Sequence, residues 1–153
     1  MTQSPNQFNQ TPEKGSLDLS FHSSVVSAIV AAAQVSALTQ AQAVKVADVA
    51  GGVLPVISLS AETVETSGFV VRNFKDVEYA AGDRLEIAMA GSVMYMEAGA
   101  AIARGANVEV ESTGDKVITA AGTNPSVGWA YDKAAADGDL IRVFIKDAIT
   151  PPA

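Results

Sequence analysis

Short apolar runs, separated by turn residues, follow one another along most of the chain. Residues 43–46 alternate apolar and polar side chains, Gly51 and Gly52 form a turn, and 53–59 is the next apolar run. Similar runs predict further strands at 68–73, 84–89, 92–96, 107–111, 116–119, 126–131 and 140–146. Because Gly, Asp, Asn and Ser turns lie between them, the pattern is typical of a sandwich or barrel. We therefore predict a mainly β fold, a small β-barrel.

The segment 23–43 is ambiguous. Its Ala and Gln residues favour a helix, whereas Val25, Val26, Ile29, Val30 and Val35 favour a strand. Both alternatives stay open for this segment.

The first 16 residues are polar and contain two prolines, which indicates an extended arm. Leu17, Leu19 and Phe21 follow at alternating positions, the pattern of a strand with one apolar face. We predict an extended N-terminal arm over 1–21 and a β-barrel domain over 22–150. Phe8, Leu17, Leu19 and Phe21 are the candidate partner contacts of the arm, since an extended peptide can add a strand to a partner's sheet. The alternative is that 17–21 is an integral strand of the domain.

The sequence repeats itself in order. Residues 43–46 return as 107–110 at an offset of 64, and 68–71 return as 128–131 at an offset of 60. Residues 80–87 then match 136–143 at an offset of 56. Three matched blocks in the same order predict a pseudo-duplicated barrel. The Gly-Asp pairs at 82–83 and 138–139 predict positive-φ turns before core strands.

Length and charge limit the function classes. A length of 153 residues fits one ordinary domain. The formal net charge of −7 and pI near 4.5 repel nucleic-acid phosphates and anionic lipids, so we expect no nucleic-acid or membrane partner. The longest uncharged apolar stretch, 21–44, is too polar to cross a bilayer.

Residues for catalysis are scarce. The chain has no cysteine and one histidine, His22, which gives neither a zinc set nor a nucleophile with its base. Asp83, Glu86, Asp137 and Asp139 lie beside turns, where acids are common on surfaces. No phosphate-binding glycine motif occurs. We predict no enzyme activity, no cofactor, no metal and no small-molecule substrate.

The strand around 94–96 is apolar on both faces. Met94 and Met96 share one face, with Val93 and Tyr95 on the other. One face can pack inward and the other against a neighbouring copy, so Met94, Tyr95 and Met96 are candidate trimer-interface residues. Simple core packing of this strand is the alternative.

Five short motifs carry a resemblance to a known family: AAGD at 80–83, AGSVM at 90–94, AAIARGA at 100–106, AGTN at 121–124 and GDLIRV at 138–143. Over 38–147 the chain resembles the capsid decoration (cement) proteins of tailed bacteriophages. The resemblance implies a small β-barrel of the β-tulip type, without cofactor or catalytic residue. It also implies a homotrimer that is made in the host cytoplasm and binds the major capsid protein on the outer surface of the icosahedral virion.

A secreted or surface β-rich module that binds carbohydrate, or is adhesin-like, is the alternative function. Sugar rings stack on exposed aromatic side chains, and the chain has few aromatics. Trp129 lies in a strand pattern, which predicts a core position for it.

Overall fold

The computed structural model describes residues 12–47, 56–59, 66–73 and 78–149, and it contains strands but no helix in these ranges. The strands are β1 (Val25–Val30), β2 (Leu38–Thr39), β3 (Ala43–Val46), β4 (Val56–Leu59), β5 (Gly68–Val70), β6 (Glu78–Tyr79), β7 (Arg84–Ala88), β8 (Val93–Glu97), β9 (Asn107–Val110), β10 (Val117–Thr119), β11 (Ser126–Ala130) and β12 (Leu140–Ile149). The mainly β prediction is confirmed. The ambiguous segment 23–43 holds β1 and β2, because Ala28 and Val30 alternate into a buried core.

The first seven strands form unit 1. In the order β1-β4-β3-β5-β7, neighbouring strands pair, and β7 pairs back to β1. The β1–β4 pairing is parallel, with Val30 opposite Ile57, and the other pairings of this ring are antiparallel. β2 and β6 form a separate two-stranded sheet beside the ring. The pairings of unit 1 therefore close on themselves.

The remaining five strands form unit 2 and repeat the strand order of unit 1. The order β10-β9-β11-β12-β8 corresponds position by position to β4-β3-β5-β7-β1. An isolated parallel bridge between Ala98 and Val117 stands where Val30 pairs with Ile57 in unit 1. Another bridge, Ile102 to Ala134, stands where β2 pairs with β6. The predicted internal repeat is therefore confirmed.

The cores of the two units are also equivalent. The buried cluster of unit 1 is Ala28, Val30, Leu38, Val44, Ile57, Val70, Tyr79, Leu85 and Ile87. Its counterparts, all buried in unit 2, are Met96, Ala98, Ile102, Val108, Val117, Ala130, Ala134, Ile141 and Val143. Ala28 is replaced by Met96 and Tyr79 by Ala134, so a gain in volume at one position accompanies a loss at another, as volume-conserving core changes require.

The Gly-Asp turns take the predicted form in both units. Gly82 and Gly138 have φ of 86° and 88°, a region that residues with a Cβ rarely adopt. The Asp83 carboxylate accepts a hydrogen bond from the Ala80 N–H at 2.8 Å, and the Asp139 carboxylate accepts one from the Ala136 N–H at 3.1 Å. These acids thus close turns before β7 and β12.

Candidate interaction surfaces

The N-terminal segment 15–18 binds the free edge of β8. The Gly15 N–H donates to the Tyr95 carbonyl at 2.8 Å, and the Tyr95 N–H donates to the Ser16 carbonyl at 2.8 Å. Farther along, the Asp18 N–H donates to the Val93 carbonyl at 2.9 Å. Leu17 forms an antiparallel bridge with Met94. The segment therefore satisfies backbone groups that an edge strand leaves open.

A turn at Asp18 ends this extended segment. The Asp18 side chain accepts the Ser20 N–H at 3.0 Å, and its carbonyl accepts the Phe21 N–H at 3.2 Å. The turn interrupts the alternation, so Leu17, Leu19 and Phe21 do not share one apolar face as predicted. Leu17 packs against the core of unit 2, whereas Leu19 is 86% exposed on the turn. Phe21 meets the ring of Tyr131 edge-on at 5.4 Å.

Only the second half of the predicted arm lies in the described part of the chain. Residues 13–18 and Phe21 contact the domain, but 17–21 is not an integral strand of it, because Leu17 forms only an isolated bridge and a turn follows. Phe8 and the rest of 1–11 lie outside the described residues. The boundary at residue 21 and the contact role of the four candidates stay predictions.

Arg142 connects the N-terminal turn to unit 2. Its Nη2 and Nε bind the two carboxylate oxygens of Asp132 at 2.7 and 2.8 Å. Its Nη1 reaches Asp18 Oδ2 at 3.2 Å, and its guanidinium lies 4.5 Å from the ring centre of Tyr131. One planar cation thus contacts two carboxylates and an aromatic ring, the arrangement for which arginine is suited.

The pKa values of these acids reflect the network. Burial raises the pKa of Asp18, but hydrogen bonds from the Ser20 N–H and from Arg142 outweigh it, and the pKa lies below its ordinary value. The hydrogen bond from Arg142 lowers the pKa of Asp132, and the same contact raises the pKa of Arg142. All three groups are therefore charged at neutral pH.

An aromatic face lies on the outer side of β11 and β12. We define it as Trp129, Tyr131 and Phe144, all half-buried. Trp129 stacks on Phe144 with ring centres 5.5 Å apart and lies 5.7 Å from Tyr131. The predicted core position of Trp129 is wrong, because Gly128 and Ala130 on either side of it take the inward positions. Half-buried aromatic residues beside arginine are the composition of binding hot spots.

The candidate trimer-interface residues differ in how deeply they are buried. Met94 and Met96 are 0% and 1% exposed inside the subunit, so their side chains fill its core and offer no surface to another copy. This agrees with the core-packing alternative and corrects their candidacy. Tyr95 is half-buried and its interface role stays a prediction.

The described residues contain other surface features. An open groove of about 630 Å³ lies beside Ser27, Arg72, Tyr79, Arg84 and Glu86. In the described ranges no group of three or more His, Cys, Asp or Glu side chains could hold a metal ion. Likewise, no helix in the described part of the chain is long and apolar enough to span a membrane.

Comparisons with known proteins found a matching family and a similar solved structure. The model of the phage cement family, described as structural cement protein (E217 gp24/Pam3 gp6), matches residues 5–146. Among solved structures, the N base of the head fiber protein gp8.5 of bacteriophage phi29 is similar in fold, with a TM-score of 0.57 and 17% identity. That match covers 84% of this chain and 98% of the phi29 chain. No curated protein sequence matches.

Proposed function

Because the chain belongs to the structural cement proteins of bacteriophages, we propose that it binds the outer surface of an icosahedral head as a homotrimer and stabilises the shell by bridging subunits of the major capsid protein. The observation that carries the proposal is the family match over 5–146, which spans both units and the described N-terminal segment. A structural role in the phage capsid follows from the family. The outer location, the trimer and the bridging are the proposed parts.

The charge of the chain supports the outer surface. A net charge of −7 opposes contact with packaged DNA, whose phosphates repel an acidic protein. The phi29 head fiber base, which shares the fold, also belongs to a structure on a phage head. The closed pairing of unit 1 and its repetition in unit 2 support the β-tulip type of barrel.

Trimerisation explains how a small protein could hold a large shell together. A subunit that binds several capsid subunits adds a free energy that must be lost before they separate. Three equal contacts on one rigid body act at high effective concentration, so individually weak contacts give firm attachment. We propose a non-enzymatic role for the protein on this basis, since such stabilisation requires binding alone.

The N-terminal region is the proposed capsid contact. Leu19 is 86% exposed on a turn that Asp18 and Arg142 fix to unit 2, so an apolar side chain is presented from a rigid position. The segment that ends in this turn follows residues 1–11 in the chain, which include Phe8. Leu17 and Phe21 already contact their own subunit, so they would support the turn that presents Leu19.

The experiment adds purified protein to phage shells that lack it and images them by cryo-electron microscopy. We expect density for a trimer on the outer surface, at three-fold positions of the shell. A Leu19→Ser variant should lower occupancy severalfold at limiting concentration, with an unchanged melting temperature. Val35→Ser is the matched control, because Val35 is 99% exposed in the β1–β2 loop and should leave occupancy unchanged. Absence of the protein from the shells, or density on the inner surface, would contradict the proposal.

A further inference from the structure

The outer face of unit 1 carries a buried row of side chains. Ala43 is the register partner of Phe69, and Phe69 of Ala88, so the three form a row across β3, β5 and β7. We name them row 1. All three are buried and belong to the hydrophobic cluster of unit 2. Row 1 is therefore the surface with which unit 1 packs on unit 2.

The repeat places the same row on unit 2. Asn107 is the partner of Trp129, and Trp129 of Phe144, across β9, β11 and β12. These residues, row 2, correspond one to one with row 1. However, Asn107 is exposed, and Trp129 and Phe144 are half-buried. Row 2 thus repeats a packing surface without a unit packed on it in the described chain.

Unit 2 receives row 1 at one end of its inner face. Met94, Val110 and Ile145 lie there, all buried in the same cluster as row 1, and we name them patch 2. The contact is also visible in the backbone, since the Ala43 N–H donates to the carbonyl of Gly114 at 2.9 Å in the turn that follows Val110. Patch 2 therefore shares one buried cluster with row 1 of the same chain, and Leu17, which bridges Met94, packs on the same cluster.

The equivalent residues of unit 1 are uncovered. Val26 corresponds to Met94 and Val46 to Val110, and they are 38% and 58% exposed. Met89 corresponds to Ile145 and is half-buried. These three residues, patch 1, repeat the inner-face position that unit 2 hides. The repeat thus accounts for two of the exposed large aliphatic side chains of the chain.

We propose that row 2 of one copy packs on patch 1 of the next copy, which repeats between chains the contact that row 1 makes with patch 2 within a chain. The occupant of both surfaces is a second copy, because each surface already has its complement in the same molecule. Such a contact is head-to-tail, and a head-to-tail contact closes into a ring when its rotation allows. Three copies then place six units around one axis. This inference deepens the trimer of the proposed function and rests on it.

The composition of the two surfaces suits a subunit interface. Row 2 supplies stacked aromatic rings, which give large contact area with few rotatable bonds. Patch 1 supplies aliphatic side chains. At one end of row 2, Lys146 Nζ donates to the side-chain oxygen of Asn107 at 3.1 Å, which places polar groups beside the aromatic rings.

Cysteine cross-linking tests the contact directly, because the natural chain has no cysteine. Asn107→Cys and Val46→Cys variants are prepared separately, mixed so that copies exchange, and treated with a short bismaleimide. We expect covalent dimers in the mixture and none in either variant alone. The double variant should give covalent species up to a trimer and none larger. A mixture of Asn107→Cys and Val35→Cys is the control and should give no dimer.

Assembly and shell occupancy are measured on the same samples, and cross-linking is repeated on shells if the protein is monomeric in solution. Efficient dimers from one variant alone would overturn the proposal, because they would indicate a two-fold contact. Assembled or shell-bound protein without cross-links in the mixture would also overturn it while leaving the capsid role intact. Failure to bind shells would instead contradict the proposed function. As a second measurement, Val46→Asp should abolish the trimer without lowering the melting temperature of the monomer, since Val46 is largely exposed.

Discussion

Replacement of Arg142 by Met should destabilise the protein and release its N-terminal segment. The substitution retains an unbranched apolar chain but removes the hydrogen bonds to Asp132 and Asp18 and the cation over Tyr131. The side chain of Asp18 is only 10% exposed, so its carboxylate would lose its charged partner in a place that water reaches poorly. Arg142 therefore stabilises both unit 2 and the turn docked on it.

The magnitude follows from these contacts. A hydrogen bond to a charged group contributes about 1.5–3 kcal/mol, and a buried group left without a partner costs about 1–3 kcal/mol. The side chains of Arg142 and Asp132 are 28% and 34% exposed, so water screens part of this energy. We expect Arg142→Met to lower the free energy of unfolding by about 2–3 kcal/mol.

Urea denaturation at pH 7 measures that loss, and limited proteolysis within 12–21 reports release of the segment. Lys116→Met is the matched control, because Lys116 also pairs with two carboxylates, Glu97 and Asp137, but Asp137 is 66% exposed whereas Asp18 is 10% exposed. It should change stability little and leave proteolysis unchanged. The reasoning would be refuted if Arg142→Met unfolded at the same urea concentration as Lys116→Met.

Four further predictions concern the N-terminal segment, the packing of the sheets and the response to acid. Leu17→Ala should lower the free energy of unfolding by about 1–2 kcal/mol in urea titration, because Leu17 packs on the core of unit 2. Deletion of residues 2–11 should leave the melting temperature unchanged but weaken shell binding, and a truncated protein that does not fold would contradict this expectation. Gly128→Ala should lower the free energy of unfolding by about 2–4 kcal/mol, measured by thermal melting, since a Cβ there would overlap the carbonyl oxygen of Phe144. A variant as stable as the parent would show that β11 and β12 can separate. As the folded pKa values of Asp18 and Asp132 lie below 3.8, the stability they add is complete above about pH 5 and is lost as the pH falls through those lowered values. The melting temperature should therefore fall more steeply in acid for the parent than for Arg142→Met.

The repeat was predictable where turn chemistry fixes the sequence. The Gly-Asp turns before β7 and β12 need a positive φ and a side-chain acceptor, so both copies retain the same residues. The correspondence of β1 with β8 was not predicted, because VVSAIV and VMYMEA share little beyond the burial of their fourth and sixth residues. Burial alone constrains size and polarity, and many residues satisfy it.

The surfaces were predicted less well than the strands for a physical reason. A strand that is apolar on both faces does not indicate which neighbour covers it. Met94 is fully buried in unit 2, while Val26 at the same position of unit 1 is 38% exposed. The difference arises from the contacts of unit 2 with unit 1 and with Leu17, which are absent from the local sequence. The turn at Asp18 was missed likewise, because its hydrogen bond to Arg142 joins residues far apart in the chain.

The temperature at which filled heads release their DNA tests the central claim most directly. Heads that lack the protein are compared with the same heads after saturation with the purified protein, and a DNA-binding dye reports release on heating. Bridging of capsid subunits predicts that the saturated heads release DNA at a higher temperature, and that the increase grows with occupancy. Saturated heads that release their DNA at the same temperature as bare heads would contradict the account.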